Sequence, residues 1–171
     1  MIRIIGAVMM IFGASAWGIL GVVRLRERVR SLEAVAAALG AVRCEICERL
    51  TPVPELFLML GKEAQYPASN LFRRAERKMS ELGLATFPEI WRLAVAETPE
   101  LLLKPREATA LSDLGMTLGR YNANEQRREI DYIKRRFEAF LKEAETERVR
   151  DSKMHALLGI AAGVFCVMIL L

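Results

Sequence analysis

Apolar residues follow two different patterns along this chain. At each end they run on with almost no charge, over residues 4–23 and 156–171, whereas between these segments they recur every three or four positions. A spacing of three and four is that of the buried face of an amphipathic α-helix. Nothing between Arg24 and His155 alternates as a half-buried β-strand would, so the sequence predicts an all-α protein.

The two terminal apolar segments are each suited to crossing a membrane. An α-helix rises about 1.5 Å per residue, so the first segment reaches about 30 Å and the second about 24 Å, near the hydrocarbon thickness of a bilayer. We therefore expect residues 1–23 and 156–171 to form transmembrane helices that flank a domain of residues 24–155. A cleaved signal peptide is the alternative for the first segment, because Ala14-Ser15-Ala16 resembles a processing site.

The distribution of charge predicts how these spans are oriented. The chain has 171 residues with 25 Lys+Arg and 21 Asp+Glu, and every one of these charges except Arg3 lies between Arg24 and Lys153. Basic residues are concentrated at the inner ends of both apolar segments: Arg24, Arg26, Arg28, Arg30, Arg148, Arg150 and Lys153. Such residues stay on the cytoplasmic side, so we expect the central domain in the cytoplasm and both termini outside.

The four arginines after the first span have two interpretations. The first is a solvated collar beside anionic lipid headgroups. The second is pairing with the acidic residues that precede the other span: Glu143, Glu145, Glu147 and Asp151.

Prolines and capping residues divide the central domain into helices. The first amphipathic helix continues from the N-terminal span to Thr51-Pro52, where Thr51 is expected to cap the next helix. Short helices are expected near 52–65, 68–82, 87–97 and 105–119, the third of them with a capping box at Thr86-x-x-Glu89. One long helix follows from Asn122 or Asn124, with an apolar seam of Ile130, Ile133, Phe137, Phe140 and Ala144. This predicts a six-helix-type cytoplasmic bundle between an N-terminal and a C-terminal transmembrane helix.

No catalytic constellation can be assembled from these residues, which have neither a glycine-rich phosphate loop nor a Ser/His/Asp set. Cys44 and Cys47 have a spacing found in metal sites, but a closed site needs four ligands and the single histidine, His155, lies at the membrane edge. The central domain mixes 24 basic with 21 acidic residues, a balance that argues against nucleic-acid binding. We therefore expect no enzyme activity, no metal and no cofactor.

Small residues four positions apart mark faces where helices can approach closely. Two such pairs lie in the apolar segments: Ala14 with Gly18, and Gly159 with Gly163. They are candidates for packing the two spans or neighbouring protomers, although glycine is also common in membrane helices without that role. Gly115 and Gly119 are expected to lie where the long final helix crosses the fifth, with a helix C-cap as the alternative for Gly119.

Four basic residues cluster within two turns of the third predicted helix: Arg73, Arg74, Arg77 and Lys78. Residues four apart share a helix face, so we expect one cationic patch, interrupted by Glu76. Exposed charge of this kind is usually only solvated. The functional alternative is a docking site for an acidic partner, since such a patch accelerates association.

Several short motifs are spread over the whole chain between the two spans: Glu45-Ile46, Thr51-Pro52, Leu71-Phe72, Gly115-x-x-Leu118-Gly119, Asn122 and Gln126. Their order and spacing resemble those of the stage III sporulation protein AB family of endospore-forming bacteria. Two positions depart from the family pattern. Asn122 stands where an aspartate is usual, and Cys47 stands where an aromatic residue is common.

This resemblance implies a structural platform or adaptor in the channel apparatus, encoded with seven partners, that links mother cell and forespore. The family's cytoplasmic domain is similar to the six-helix repeat of platform proteins in type II secretion and type IV pilus machines, which contact a hexameric ATPase. The implied partners are the membrane, the other components of the apparatus and that ATPase, and a homo-oligomer is left open. The implied location is the mother-cell-derived membrane around the forespore. The alternative is a stand-alone membrane-tethered helical adaptor that regulates another membrane protein.

Overall fold

The computed structural model describes the backbone of residues 2–81, 83–118 and 123–170. Side chains are described for residues 21, 23–80, 83–118, 124–151 and 154. Over this part of the chain the fold is all-α, as predicted, with six α-helices and no β-strand. The helices are α1 (Ile2–Cys47), α2 (Val53–Glu63), α3 (Ala68–Lys78), α4 (Phe87–Ala96), α5 (Pro105–Thr117) and α6 (Ala123–Leu170). Short 3₁₀ turns, Met79–Glu81 and Pro99–Leu101, follow α3 and α4.

The chain divides into two compact units. One comprises Met1–Glu27 and Glu143–Leu171, and the other is Arg28–Lys142. Both predicted spans belong to the first unit, where most side chains, including those of the small-residue pairs Ala14 with Gly18 and Gly159 with Gly163, lie outside the described residues. Among the residues that are described, no helix is long and apolar enough to cross a membrane.

The helix boundaries follow from local sequence signals. The capping box that opens α4 is present as predicted, because the Glu89 carboxylate accepts hydrogen bonds from the backbone N–H and the hydroxyl of Thr86, each at 2.8 Å. These bonds, that from the backbone above all, lower the pKa of Glu89. The prediction that Thr51 caps α2 is wrong. The Thr51 hydroxyl donates to Glu45 at 2.8 Å, and Pro52 occupies the N-cap position.

An aromatic cluster fills the core of the Arg28–Lys142 unit. Phe57 of α2, Phe72 of α3 and Phe87 and Trp91 of α4 stack or tilt against one another, with ring centroids 5.4 to 5.9 Å apart. Trp91 is fully buried, and its indole N–H donates to the Leu111 carbonyl of α5 at 2.7 Å. The indole thus fills apolar volume and satisfies its one polar atom, as a buried tryptophan requires.

The apolar seam predicted for α6 is confirmed by burial. Ile130, Ile133, Phe137 and Ala144 are buried, and Phe140 is partly buried against the Phe137 ring at 5.6 Å. Two guanidinium groups lie near the Phe140 ring, with Arg106 at 5.3 Å and Arg136 at 5.9 Å from the ring centroid. A spacing of three and four residues therefore identified the inward face of this helix correctly.

Gly115 of α5 allows a close approach, but its nearest neighbour is α4. A Cβ atom at this position would lie 2.8 Å from Cδ1 and 2.9 Å from Cβ of Trp91. The predicted contact with the long final helix is therefore not the closest one, and the tryptophan is the reason that only glycine fits. Gly119 lies outside the described residues.

Replacing Gly115 with Ala is expected to destabilise the bundle by about 1–3 kcal/mol, since the added methyl group would collide with a fully buried indole. Gly40→Ala is the matched control, because the nearest atom to its added Cβ would be Lys134 Cε at 3.8 Å. In an open helix interior that change should stabilise by about 0.5–1 kcal/mol. Urea unfolding followed by helical circular dichroism measures both, and equal stability of the two variants would contradict the packing argument.

A buried ion pair joins α1 to α5. Arg28 Nη2 lies 2.7 Å from Glu107 Oε1, and Arg28 Nη1 lies 3.1 Å from Oε2, so the contact is bidentate. The Glu107 side chain is fully buried and that of Arg28 is 13% exposed. The same carboxylate accepts the backbone N–H of Lys104 at 2.8 Å. Arg28 therefore belongs to the bundle, and its expected place in a solvated arginine collar is wrong.

Glu107→Ala should cost about 3–5 kcal/mol, because it leaves the Arg28 guanidinium buried without its counter-charge. The double variant Arg28→Met, Glu107→Leu should recover part of this loss, since an apolar pair of similar volume needs no partner. Denaturant unfolding of the two variants, with Arg28→Met as the third corner of the cycle, provides the test. A double variant that is less stable than both single variants would show that the charges are not the cause.

Candidate partner-binding surface

Helix α3 has one buried face and one charged face. Ala68, Leu71, Phe72 and Ala75 are buried. They pack on α2 and α4, whereas the basic residues predicted as a docking site occupy the remaining surface. The separation follows from the helical period, because residues 68, 71, 72 and 75 repeat every three or four positions. Packing of the buried face therefore fixes the direction in which the charged face of α3 points.

Two of the four basic residues are neutralised within the bundle. Arg74 forms a bidentate pair with Glu100 at 2.8 and 3.0 Å, and Lys78 Nζ lies 3.0 Å from Glu97 Oε1. The hydrogen bond from Arg74 lowers the pKa of the Glu100 carboxyl, and the same bond raises the pKa of Arg74. These two pairs connect α3 to the end of α4 and to the 3₁₀ turn after it.

The other two basic residues, Arg73 and Arg77, are exposed and have no acidic partner among the described residues; we call them the α3 arginine pair. Arg73 donates to the side-chain oxygen of Asn70, and Arg77 Nε donates to the Arg73 carbonyl at 3.3 Å. The structure therefore divides the predicted four-residue patch, leaving half of it available to a partner.

Arg73 of the α3 arginine pair lies against α2. A Cβ atom on Gly61 would lie 2.9 Å from Cγ of Arg73, so the stem of this arginine lies directly over the glycine. Arg73 and Arg77 border a surface cavity of about 390 Å³, together with Asn70, Arg74 and Glu76. The lining has three guanidinium groups against one carboxylate, so it carries net positive charge and is suited to carboxylate side chains, which bind arginine with directional hydrogen bonds.

A second cavity, which the sequence analysis did not anticipate, lies between α4 and α5. It measures about 480 Å³, and its lining includes Pro88, Val95, Ala96, Ala108 and Met116. Met116 is 62% exposed, although the same helix buries Leu111 and Leu114. In the sequence, Met116 is an apolar residue that does not share the buried face of Leu111 and Leu114. Periodicity alone does not show that such a residue is exposed.

The two cysteines of α1 lie beside a charged network rather than in a cluster of metal ligands. Cys44 contacts the Glu48 carboxylate at 3.6 Å, and burial raises the pKa of the Cys47 thiol. Arg43 is 2.7 Å from Asp131 and 3.2 Å from Glu48. In the part of the chain that the structure describes, no three His, Cys, Asp or Glu side chains come close enough to hold a metal ion.

The fold and this surface define an all-α bundle protein with two exposed arginines side by side on α3. The chain belongs to the stage III sporulation protein AB family, which it matches over residues 3–171. The Stage III sporulation protein AB of Bacillus subtilis (strain 168) is 26% identical to it over 172 residues, and the match covers 100% of both chains. A solved structure of a Stage III sporulation protein AB is similar, with 25% sequence identity and a TM-score of 0.65, covering 72% of this chain and 98% of that one. These matches confirm the resemblance and assign the protein a role in sporulation.

Because Arg74 is paired and Arg73 is not, we expect charge reversal at these neighbouring positions to change the stability of the bundle by different amounts. Arg74→Glu should destabilise the bundle by about 1 kcal/mol, because it replaces a bidentate pair with repulsion from Glu100. Arg73→Glu, one position away, should change stability by less than about 0.5 kcal/mol. Thermal unfolding of the two variants distinguishes them, and a larger loss for Arg73→Glu would contradict the division.

The stabilisation from the Arg74–Glu100 ion pair should also depend on pH. The Arg74–Glu100 pair stabilises fully above the ordinary carboxyl pKa of 4.5, because Glu100 has a lowered pKa only in the folded state. As the pH falls below 4.5 and through the lowered pKa of folded Glu100, the carboxylate is protonated and the stabilisation is lost. The difference in unfolding free energy between wild type and Glu100→Gln should therefore shrink in acid.

Proposed function

We propose that this protein is a membrane-anchored platform of the mother cell–forespore channel apparatus, and that its Arg28–Lys142 unit binds a cytoplasmic hexameric ATPase. Family membership supports the sporulation role. The apolar terminal segments support anchoring at both ends, since each is near the length of a bilayer crossing. The basic residues beside these segments support a cytoplasmic location for the bundle.

The exposed α3 arginine pair is the observation that carries the ATPase contact. Arg73 and Arg77 present two guanidinium groups next to an open cavity, without an acidic partner among the described residues. Unpaired charge at a surface increases the rate at which an oppositely charged partner associates. We therefore assign the pair to an acidic surface of the ATPase.

The paired residues have a different part in this proposal. Arg74 and Lys78 hold α3 against the acidic residues Glu100 and Glu97, so they orient the helix without offering free charge. Reversing all four basic residues together would therefore change both binding and stability. A test of the docking surface has to leave the two internal ion pairs intact.

The double variant Arg73→Glu, Arg77→Glu should weaken ATPase binding at least tenfold at low salt, which corresponds to about 1.4 kcal/mol. Binding of the full-length protein in nanodiscs to the purified sporulation ATPase can be measured by surface plasmon resonance. Raising the salt concentration should weaken wild-type binding and have little effect on the variant, because salt screens exposed charges.

The matched control is Arg92→Glu, Arg135→Glu, which reverses two exposed arginines, one on α4 and one on α6. It changes the net charge by the same amount, so it should reduce binding much less if the location of the charge matters. Equal effects of the two double variants would assign the contact to overall charge, and wild-type affinity in the α3 variant would place the ATPase elsewhere.

A further inference from the structure

The outer side of α2 carries an exposed stripe that begins with apolar residues. Pro54, Leu58 and Lys62 are four positions apart, so they share one side of the helix, and all three are exposed. Leu56 and Leu60, on the opposite side, are buried in the core. Leu58 is 49% exposed. The bundle therefore packs its core without this stripe and leaves a leucine at the surface.

The exposed stripe lies beside the α3 arginine pair. A Cβ atom on Gly61 would lie 2.9 Å from Cγ and 3.6 Å from Cα of Arg73, so the two helices are in close contact at this point. Gly61 follows Leu58 by three residues and shares its side of α2. The turn between the two helices, residues 64–67, is short, so α2 and α3 are antiparallel neighbours. A step back along α2 from Gly61 to Leu58 therefore corresponds to a step forward along α3 from Arg73 to Arg77.

The basic residues near Leu58 have no acidic partner among the described residues. They are Lys62 of α2 and the arginines Arg73 and Arg77 of α3, and all three are exposed. Each guanidinium uses one N–H, in bonds to Asn70 and to the Arg73 carbonyl, and keeps its other donors for a partner. Glu76, in the cavity beside the arginine pair, offsets one of the three charges. The face therefore keeps net positive charge next to an apolar side chain.

The charge of this face argues for an acidic occupant. A second copy of the chain would bring like charges together, which is unfavourable. An acidic surface pairs with the basic residues at the edge, and an apolar residue of its own can then meet Leu58 away from water. The rows of residues on α2 and α3 repeat at each helical turn. The partner that matches them over several residues is therefore itself a helix, with one apolar and one acidic stripe.

We propose that α2 and α3 together form a docking face for an acidic amphipathic helix of the ATPase, with Leu58 at its apolar centre. This inference rests on the ATPase contact in the proposed function and names the kind of surface that the ATPase presents. Leu58 packs against an apolar residue of that helix, while carboxylates beside this residue bind Lys62 and the α3 arginine pair. Charge pairing accelerates association, whereas the apolar contact slows dissociation, so the two parts of the face can be measured separately.

Leu58→Ser tests the apolar centre, and Leu93→Ser is its matched control. Leu93 is 41% exposed on α4, so both variants replace an exposed leucine of a short helix with the same polar residue. Each full-length protein in nanodiscs is tested against the purified sporulation ATPase by surface plasmon resonance, with association and dissociation rates determined separately. The nanodiscs contain phosphatidylcholine alone, so that no anionic lipid competes for the basic residues.

Leu58→Ser should raise the dissociation rate at least about fivefold, because a leucine that is half-exposed in the free protein becomes buried in the complex. Its association rate and the salt dependence of that rate should stay as in wild type, since the charges are unchanged. Leu93→Ser should have wild-type rates. Glu55→Gln removes an exposed carboxylate one turn before Leu58, so it should raise the association rate with an acidic partner.

Lys62→Glu provides a second test that leaves the leucine in place. Its association rate should fall and depend less on salt than that of wild type, because it reverses one charge at the edge of the face. An unchanged association rate for this variant would overturn the part assigned to α2 in charge pairing.

The outcomes separate this inference from the proposed function. Wild-type dissociation of Leu58→Ser, where Arg73→Glu, Arg77→Glu weakens binding, would overturn the apolar centre and leave the arginine contact in place. Equal increases in dissociation for Leu58→Ser and Leu93→Ser would overturn it too. Absence of any binding between the wild-type protein and the ATPase would overturn the proposed contact and this inference together.

Discussion

The ion pair between Arg28 and Glu107 is the constraint on which the arrangement of the bundle depends. The two residues are 79 positions apart, and their carboxylate–guanidinium contact joins the first long helix to the fifth. A carboxylate with no exposed surface is tolerated only when its charge is matched and its oxygens accept hydrogen bonds. Glu107 meets both conditions, since Arg28 supplies the charge and the Lys104 N–H a further donor. Any arrangement that separates α1 from α5 would leave both charges without partners.

The same kind of pairing decides which charges of α3 remain for a partner. Arg74 and Lys78 are held by acidic residues at the end of α4, whereas Arg73 and Arg77 face solvent. Since neighbouring residues on a helix point about 100° apart, adjacent arginines have different surroundings. Structural and recognition charges can therefore alternate within a single helix turn. Because all four residues are on one helix, the ion pairs of Arg74 and Lys78 that hold α3 also fix the direction in which Arg73 and Arg77 point.

Local patterns predicted the helices but not their neighbours. The period of apolar residues identified the buried face of α6, and the Thr86–Glu89 box identified the start of α4, because both depend on residues three or four apart. The nearest neighbour of Gly115 and the partner of Arg28 were not predicted, since periodicity shows which face is buried and not which helix covers it. The capping role expected for Thr51 also failed, because its hydroxyl donates instead to Glu45, six residues back along the chain. To predict which residues bury or pair with one another, the positions of the helices in space must be known.

The motifs by which the family can be recognised have structural positions in the bundle. Glu45 accepts hydrogen bonds from Arg49 and Thr51 at 2.8 Å, Leu71 and Phe72 are core residues, and Gly115 fits against Trp91. The exposed arginine pair of α3 is not part of any of these motifs, although Arg73 follows Leu71-Phe72 directly in the chain. Core positions are constrained by packing, whereas exposed charges can change at little cost in stability. Two members of this family can therefore share the fold and still present different charges to their partners, so the docking specificity of this chain has to be established at Arg73 and Arg77 themselves.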